Sequence, residues 1–228
     1  MRRGLLDSAG MDIQRIVTGA YQENAYLVFD GAGKAAVVDP GEDAPRILAS
    51  LRDAGAELTA VLLTHGHLDH IAALPALLAA APTPVHVAPG DAAWCFTERN
   101  RHEPYAPVLS PPANLAEDLA DGAEVRAGEL VFRVLATPGH SPGSVCFLLG
   151  GPAGSPAALF AGDTLFAGSI GRTDFEGGDD AAMASSLRRL AALPAETRVL
   201  PGHGPATTIA RELRINPYLL SAVSATSR

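Results

Sequence analysis

Four apolar runs in this chain each end in a tight turn that delivers histidine or aspartate, and that recurrence constrains the fold more than any other feature. The first, Thr59-Ala60-Val61-Leu62-Leu63-Thr64, runs into His65-Gly66-His67-Leu68-Asp69-His70. Residues 130–135 lead to Thr137-Pro138-Gly139-His140, residues 157–161 to Gly162-Asp163, and residues 198–200 to Pro201-Gly202-His203-Gly204. Short apolar runs bounded by turn residues read as buried strands. In open α/β sheets, sites assemble at the carboxyl ends of strands, so four such ends can converge on one rim.

Three imidazoles and a carboxylate within six positions are costly to crowd together unless a cation neutralises and orders them. Neutral imidazole suits zinc or iron, and the carboxylate suits a second ion. His65 and His67 are two apart, so an extended segment points both side chains one way, while Asp69 and His70 enter the next turn. A single His-Gly turn is more often structural than ligating. Four in one chain reverse that judgement.

The surrounding sequence reads as layered α/β structure. Residues 13–17, 24–29 and 34–38 form successive strands too close together for βαβ crossovers, so part of the sheet is antiparallel. Asp39-Pro40-Gly41 ends the third, and a helix follows with Glu42 or Asp43 near its cap and Pro45 in its first turn. Further helices are expected over residues 74–80 and 91–97, and a short strand over 84–88. Hairpins join 122–126 to 129–135 and 145–149 to 157–161. Asp179 caps a helix with Met183, Leu187 and Leu190 on one face; 197–200 is the last strand and 207–214 the last helix. Residues 98–118 carry four prolines and little periodicity, as a lid or binding loop does. Alternating strands and helices give sheets covered by helices.

Charge and composition exclude several function classes. A net charge of −8 argues against a broad phosphate-binding surface, and so against nucleic acid as a partner. Of 17 basic residues only Lys34 is lysine, so a clamp for an anionic substrate must use Arg, metal or backbone N–H groups. No apolar run approaches the roughly 18–20 residues of a membrane span, and no signal-peptide stretch is evident, so a cytoplasmic location is expected. Cys95 and Cys146 form no CxxC pair and indicate no disulfide framework; Cys146 suits a buried strand position. Residues 1–10 read as a disordered extension and residues 11–228 as one domain. His86 is read as a strand residue rather than a ligand.

The His65-to-His70 cluster with His140, Asp163 and His203 resembles the metallo-β-lactamase superfamily in order and in local context. The chain is most similar to its short glyoxalase II-like (hydroxyacylglutathione hydrolase-like) branch. Asn24-Ala25-Tyr26-Leu27-Val28, Val37-Val38-Asp39-Pro40-Gly41, Gly162-Asp163-Thr164-Leu165-Phe166 and Gly171-Arg172-Thr173-Asp174-Phe175 support the likeness, as does the ending Asn216-Pro217-Tyr218-Leu219. The resemblance implies a four-layer αβ/βα sandwich with mixed sheets and helices outside. It also implies two divalent ions, zinc first, with iron or manganese as alternatives. His65, His67 and His140 would hold one ion, Asp69, His70 and His203 the other, and Asp163 would bridge. Asp69 would act as the catalytic residue that orients a water.

The implied reaction is hydrolysis of a small-molecule thioester of a low-molecular-weight thiol. Asp39 either braces the ligand loop from behind or caps the next helix. Arg172 either binds a substrate carboxylate or pairs with Asp174; Arg99 and Tyr105 are further candidate substrate contacts. Full-length glyoxalase II enzymes carry a C-terminal helical domain for glutathione. This chain ends 25 residues after His203, so no such domain is expected and the thiol carrier stays open. Two rival activities remain: a persulfide dioxygenase with one iron on His65, His140 and Asp163, and a lactonase or other ester or amide hydrolase. Oligomeric state is not legible.

Overall fold

The computed structural model describes residues 5–6, 12–101, 104, 108–151 and 156–225. Most of the expected N-terminal extension, and Tyr105, lie outside them. The first half of the chain builds a sheet from β1 (Leu5–Leu6), β2 (Asp12–Thr18), β3 (Glu23–Phe29), β4 (Lys34–Val38), β5 (Glu57–Leu62), β6 (Val85–His86) and β7 (Leu115–Ala116). They lie side by side in chain order, antiparallel from β1 to β4 and parallel from β4 to β7. The second sheet contains β8 (Glu124–Ala127), β9 (Leu130–Ala136), β10 (Val145–Leu149), β11 (Ala158–Gly162), β12 (Arg198–Pro201) and β13 (Thr207–Thr208). Only β11 and β12 run parallel there.

Strand alternation sorts the side chains into three cores. Val28, Val38 and Leu62 of the first sheet meet Phe132, Phe147 and Phe160 of the second in the layer between them. The neighbours Leu27, Val37 and Val61 point outward, under α1 (Ala44–Ala54) and α3 (Leu74–Ala80). Cys146 and Leu159 point outward from the second sheet, under α5 (Asp180–Ala191) and α7 (Pro217–Ser224). A sheet buried on both faces needs a cover on each, and the result is helix, sheet, sheet, helix. This is the four-layer αβ/βα sandwich with mixed sheets.

Local chemistry explains most element ends. Asp43 caps α1 by accepting from the Arg46 N–H, and Gly55 closes it in the left-handed region at φ +63°. Asp179 caps α5 by accepting from the Ala182 N–H at 2.9 Å. Three boundaries differ from expectation. The strand expected over 84–88 is only β6, and the following helix, α4 (Pro89–Cys95), starts earlier because Pro89 fits the first helical turn. The helix expected over 207–214 splits: Thr207–Thr208 pair with β12, and Thr208 caps α6 (Ile209–Ile215) through the Arg211 N–H. Asn216-Pro217 then starts α7, with the Asn216 carboxamide accepting from Tyr218 and Leu219. No described helix is long and apolar enough to cross a membrane.

Candidate metal centre

The carboxyl ends of β5, β9, β11 and β12 meet on one edge of the sandwich, and each delivers its His or Asp there. His67 is the residue before α2 (Leu68–Ile71), a single turn that carries Asp69 and His70 inward. Two triads form. One ligand atom each from His65, His67 and His140 lies within 4.8 Å of the others, and the same holds for Asp69, His70 and His203. Asp163 stands between them. Its Oδ2 is 3.6 Å from both His140 Nε2 and His203 Nε2, and its Oδ1 is 3.5 Å from His70 Nε2. The geometry therefore brings all seven residues into one cluster.

Each of four rings has its far nitrogen tied to an acceptor. His70 Nδ1 donates to Asp39 Oδ2 at 3.0 Å, His140 Nδ1 to the Arg172 carbonyl at 2.7 Å and His203 Nδ1 to the Tyr21 carbonyl at 3.0 Å. His65 Nδ1 donates to Thr64 Oγ1 at 3.1 Å, because that hydroxyl spends its own proton on Asp39 at 2.6 Å. A proton held on Nδ1 leaves Nε2 of each ring facing its neighbours, the atom that offers a lone pair when the ring is neutral. His65 Nε2, His70 Nε2 and Asp163 Oδ1 are buried without a well-formed hydrogen bond among the described residues. Buried polar atoms left so are costly, and a cation shared among them removes the cost. The donor set fits a pair of divalent ions.

Electrostatics split the rings into two kinds. Burial, reinforced by neighbouring imidazoles, holds His65 well below the usual histidine range, and burial with His140 alongside lowers His67 to about 3. Those rings are neutral lone-pair donors at neutral pH. Burial also disfavours charge on His70 and His203, but the Asp69 and Asp163 carboxylates outweigh it and raise both. Asp163 is lowered despite its burial, chiefly by His70. Asp69 is lowered likewise, by His70 and by a bond to His203. Two ionised carboxylates in so buried a place draw cationic charge toward them.

Side chains from the opposite sheet seat the last loop. Asn24 Nδ2 donates to the carbonyls of Pro201 and Gly204 at 2.9 Å, and the Tyr26 hydroxyl donates to the Pro201 carbonyl at 2.8 Å. Asp39 accepts from the Thr64 N–H at 2.7 Å as well as from His70, so it braces the ligand loop, whereas the cap of α1 is Asp43.

The cluster floors an open cavity of about 700 Å³ lined by Tyr21, Trp94, Arg99, Arg172, Phe175 and Glu176 among others. Arg172 is engaged with Asp174 through two bonds of 2.8 Å and stacks over the Phe175 ring at 4.3 Å. Arg99 pairs with Glu176 at 2.7 Å. His86 lies in β6 and bonds Asp118. Trp94 and Phe175, whose rings lie 5.3 and 5.5 Å from His67, were not singled out in the sequence. Neither sits in a pattern that separates a cavity wall from a core or surface aromatic. Asp91 carries no signal in the sequence beyond its place in an expected helix.

A two-sheet sandwich with this His and Asp cluster at its edge defines a metal-dependent hydrolase fold, and residues 18–203 match the metallo-beta-lactamase superfamily, to which the chain belongs. Hydroxyacylglutathione hydrolase GloC of Haemophilus influenzae is 34% identical over 92% of this chain and 99% of its own length. Among solved structures, the B3 metallo-beta-lactamase BLEG-1 superposes with a TM-score of 0.80 at 34% identity, covering 91% of this chain and 99% of its own. TTHA1623, in a di-iron-bound form, gives a TM-score of 0.73 at 40% identity over 90% of this chain and 98% of its own.

Proposed function

We propose that this protein is a two-metal hydrolase that cleaves a thioester, in the manner the name of its relative GloC indicates for a hydroxyacyl thiol conjugate. The observation that carries the reading is the pair of facing triads with Asp163 between them. His65, His67 and His140 would hold one ion, and Asp69, His70 and His203 the other. The donor set suits zinc, and the di-iron form of TTHA1623 makes iron the first alternative. Two bound cations would bring a shared water near ionisation at neutral pH and polarise the scissile carbonyl.

The chain's own groups do the rest. Asp69, kept ionised, accepts a hydrogen bond from the attacking water and orients it toward the carbonyl. Trp94 and Phe175 wall the His67 side of the cavity, where an acyl group would lie. A thiolate is a good leaving group, so the mechanism asks for no general acid.

Metal content measured beside a panel of a hydroxyacyl thioester, a lactone and glutathione persulfide tests the reading. Two ions per chain and thioester cleavage are expected, with turnover lost in His67→Ala and Asp163→Ala variants that stay folded. One tightly held iron, with oxygen uptake on the persulfide and no thioester cleavage, would overturn it in favour of the dioxygenase.

A further inference from the structure

The two loops that carry His65, His67 and His140 come from different sheets, and one side chain joins them. Asp91, in the first turn of α4, is fully buried. Its Oδ2 accepts from the Gly66 N–H at 2.8 Å, between the two histidines, and from Ser141 Oγ at 2.7 Å, next to His140. Its Oδ1 accepts from the Gly143 N–H at 2.6 Å and from Trp94 Nε1 at 3.2 Å. The approach is close enough that a Cβ on Gly143 would stand 2.4 Å from the Asp91 backbone nitrogen, and one on Gly66 would stand 2.4 Å from Cys95 Cβ. Asn100 takes the other side of the same peptide run, donating to the Gly66 carbonyl at 2.7 Å.

We infer that Asp91 is a positioning residue for one half of the site: it sets the distance between the His65–His67 loop and the His140 loop, and so the affinity of the ion they share. Four donors converge on one carboxylate, three of them on the ligand loops or beside them. An amide at this position keeps the shape but turns an N–H toward either the Gly143 and Trp94 donors or the Gly66 and Ser141 donors. At least one ligand loop then loses its acceptor. No bond runs from Asp91 to Asp69, His70 or His203, so the other half of the site is left as it was. The inference rests on the two-triad reading above.

Cobalt(II) titrations followed by visible absorption test it, in the otherwise intact chain and in His203→Ala and His140→Ala backgrounds. Asp91→Asn is expected to weaken the ion held by His65, His67 and His140 by about 10–100-fold, as loss of a hydrogen-bonded support behind a ligand does. The loss appears in the intact and His203→Ala chains and is absent in His140→Ala. If Asp91→Asn does not fold, Ser141→Ala removes one donor, keeps the carboxylate, and gives a smaller loss with the same selectivity. Unchanged affinity, or an equal loss in both backgrounds, overturns the inference. A parent chain that binds a single ion, lost in His140→Ala, overturns the two-metal reading but not this one; a single ion lost in His203→Ala and kept in His140→Ala overturns both. A parent that binds none overturns both.

Discussion

Asp39 accepts the Nδ1 proton of His70 at 3.0 Å while its own backbone stands at φ +48°, a region that few side chains tolerate. The same carboxylate takes the N–H and the hydroxyl of Thr64 at 2.7 and 2.6 Å, and Thr64 in turn bonds His65. One residue thus orients two rings, one from each triad. Asp39→Ala leaves buried donors unanswered at about 1–3 kcal/mol each and adds about 1 kcal/mol of backbone strain. Asp39→Asn tolerates the left-handed backbone and is expected to lose less stability, yet to lose metal affinity in both halves of the site. Urea unfolding of the metal-free chain beside metal titration separates the two effects.

Gly202 makes a second, steric prediction. A Cβ there would stand 2.3 Å from Asp163 Oδ1 and 2.7 Å from His70 Cε1. Gly202→Ala must therefore push the Asp163 carboxylate and the His70 ring aside. The variant is expected to fold and to hold less metal than the parent, with the deficit read by elemental analysis. Full loading at parent affinity would show that the loop yields at no cost.

The two buried cysteines predict a pH dependence of stability at alkaline pH. Burial pushes the Cys95 thiol up to about 12 and the Cys146 thiol up to about 11. In the unfolded chain both ionise near 8.5, so the unfolded state loses its protons first as pH rises. The stability they contribute is complete below that value and falls by about 1.4 kcal/mol per thiol per pH unit until the folded values are reached. The urea midpoint is expected to drop more steeply above pH 9 in the parent than in a Cys95→Ala, Cys146→Ala double variant. Thiol reagents at pH 8 should label neither residue until the chain unfolds.

Phe132 tests the core between the sheets. It is fully buried, with the rings of Phe147 and Phe160 centred 6.4 and 6.0 Å away. Phe132→Ala is expected to cost about 3–5 kcal/mol through lost burial and a residual cavity. Its neighbours in the layer between the sheets are apolar side chains of both sheets, so metal content per folded chain should not change. A fall in metal content as large as the fall in stability would tie the core to the site in a way the contacts do not suggest.

The strands, their turns and the seven ligand candidates were legible in the sequence because each is a local pattern. Apolar runs of strand length, turn residues after them and a His or Asp at the turn all lie within a dozen positions. The same locality explains the errors at the ends of elements. Whether Thr207–Thr208 continue a helix or pair with β12 depends on a partner strand several residues away in the chain. The start of α7 is written in Asn216-Pro217, a capping asparagine followed by a proline in the first turn.

What the tertiary structure alone decided is which distant groups stand behind the ligands. Asp39 supports His70 across 31 positions, Arg172 lends its carbonyl to His140 across 32, and Asp91 reaches Ser141 across 50. The Arg172 acceptor is a backbone carbonyl, which every residue carries, so no residue type announces it. Arg172 was equally suited by its chemistry to a substrate carboxylate and to Asp174, and only the fold set Asp174 against it. The sequence by itself determined the seven His and Asp side chains of the cluster and the turns that present them. The tertiary structure determined the orientation of the His70, His140 and His203 rings, because each hydrogen bond that selects a tautomer there joins loops far apart in the chain.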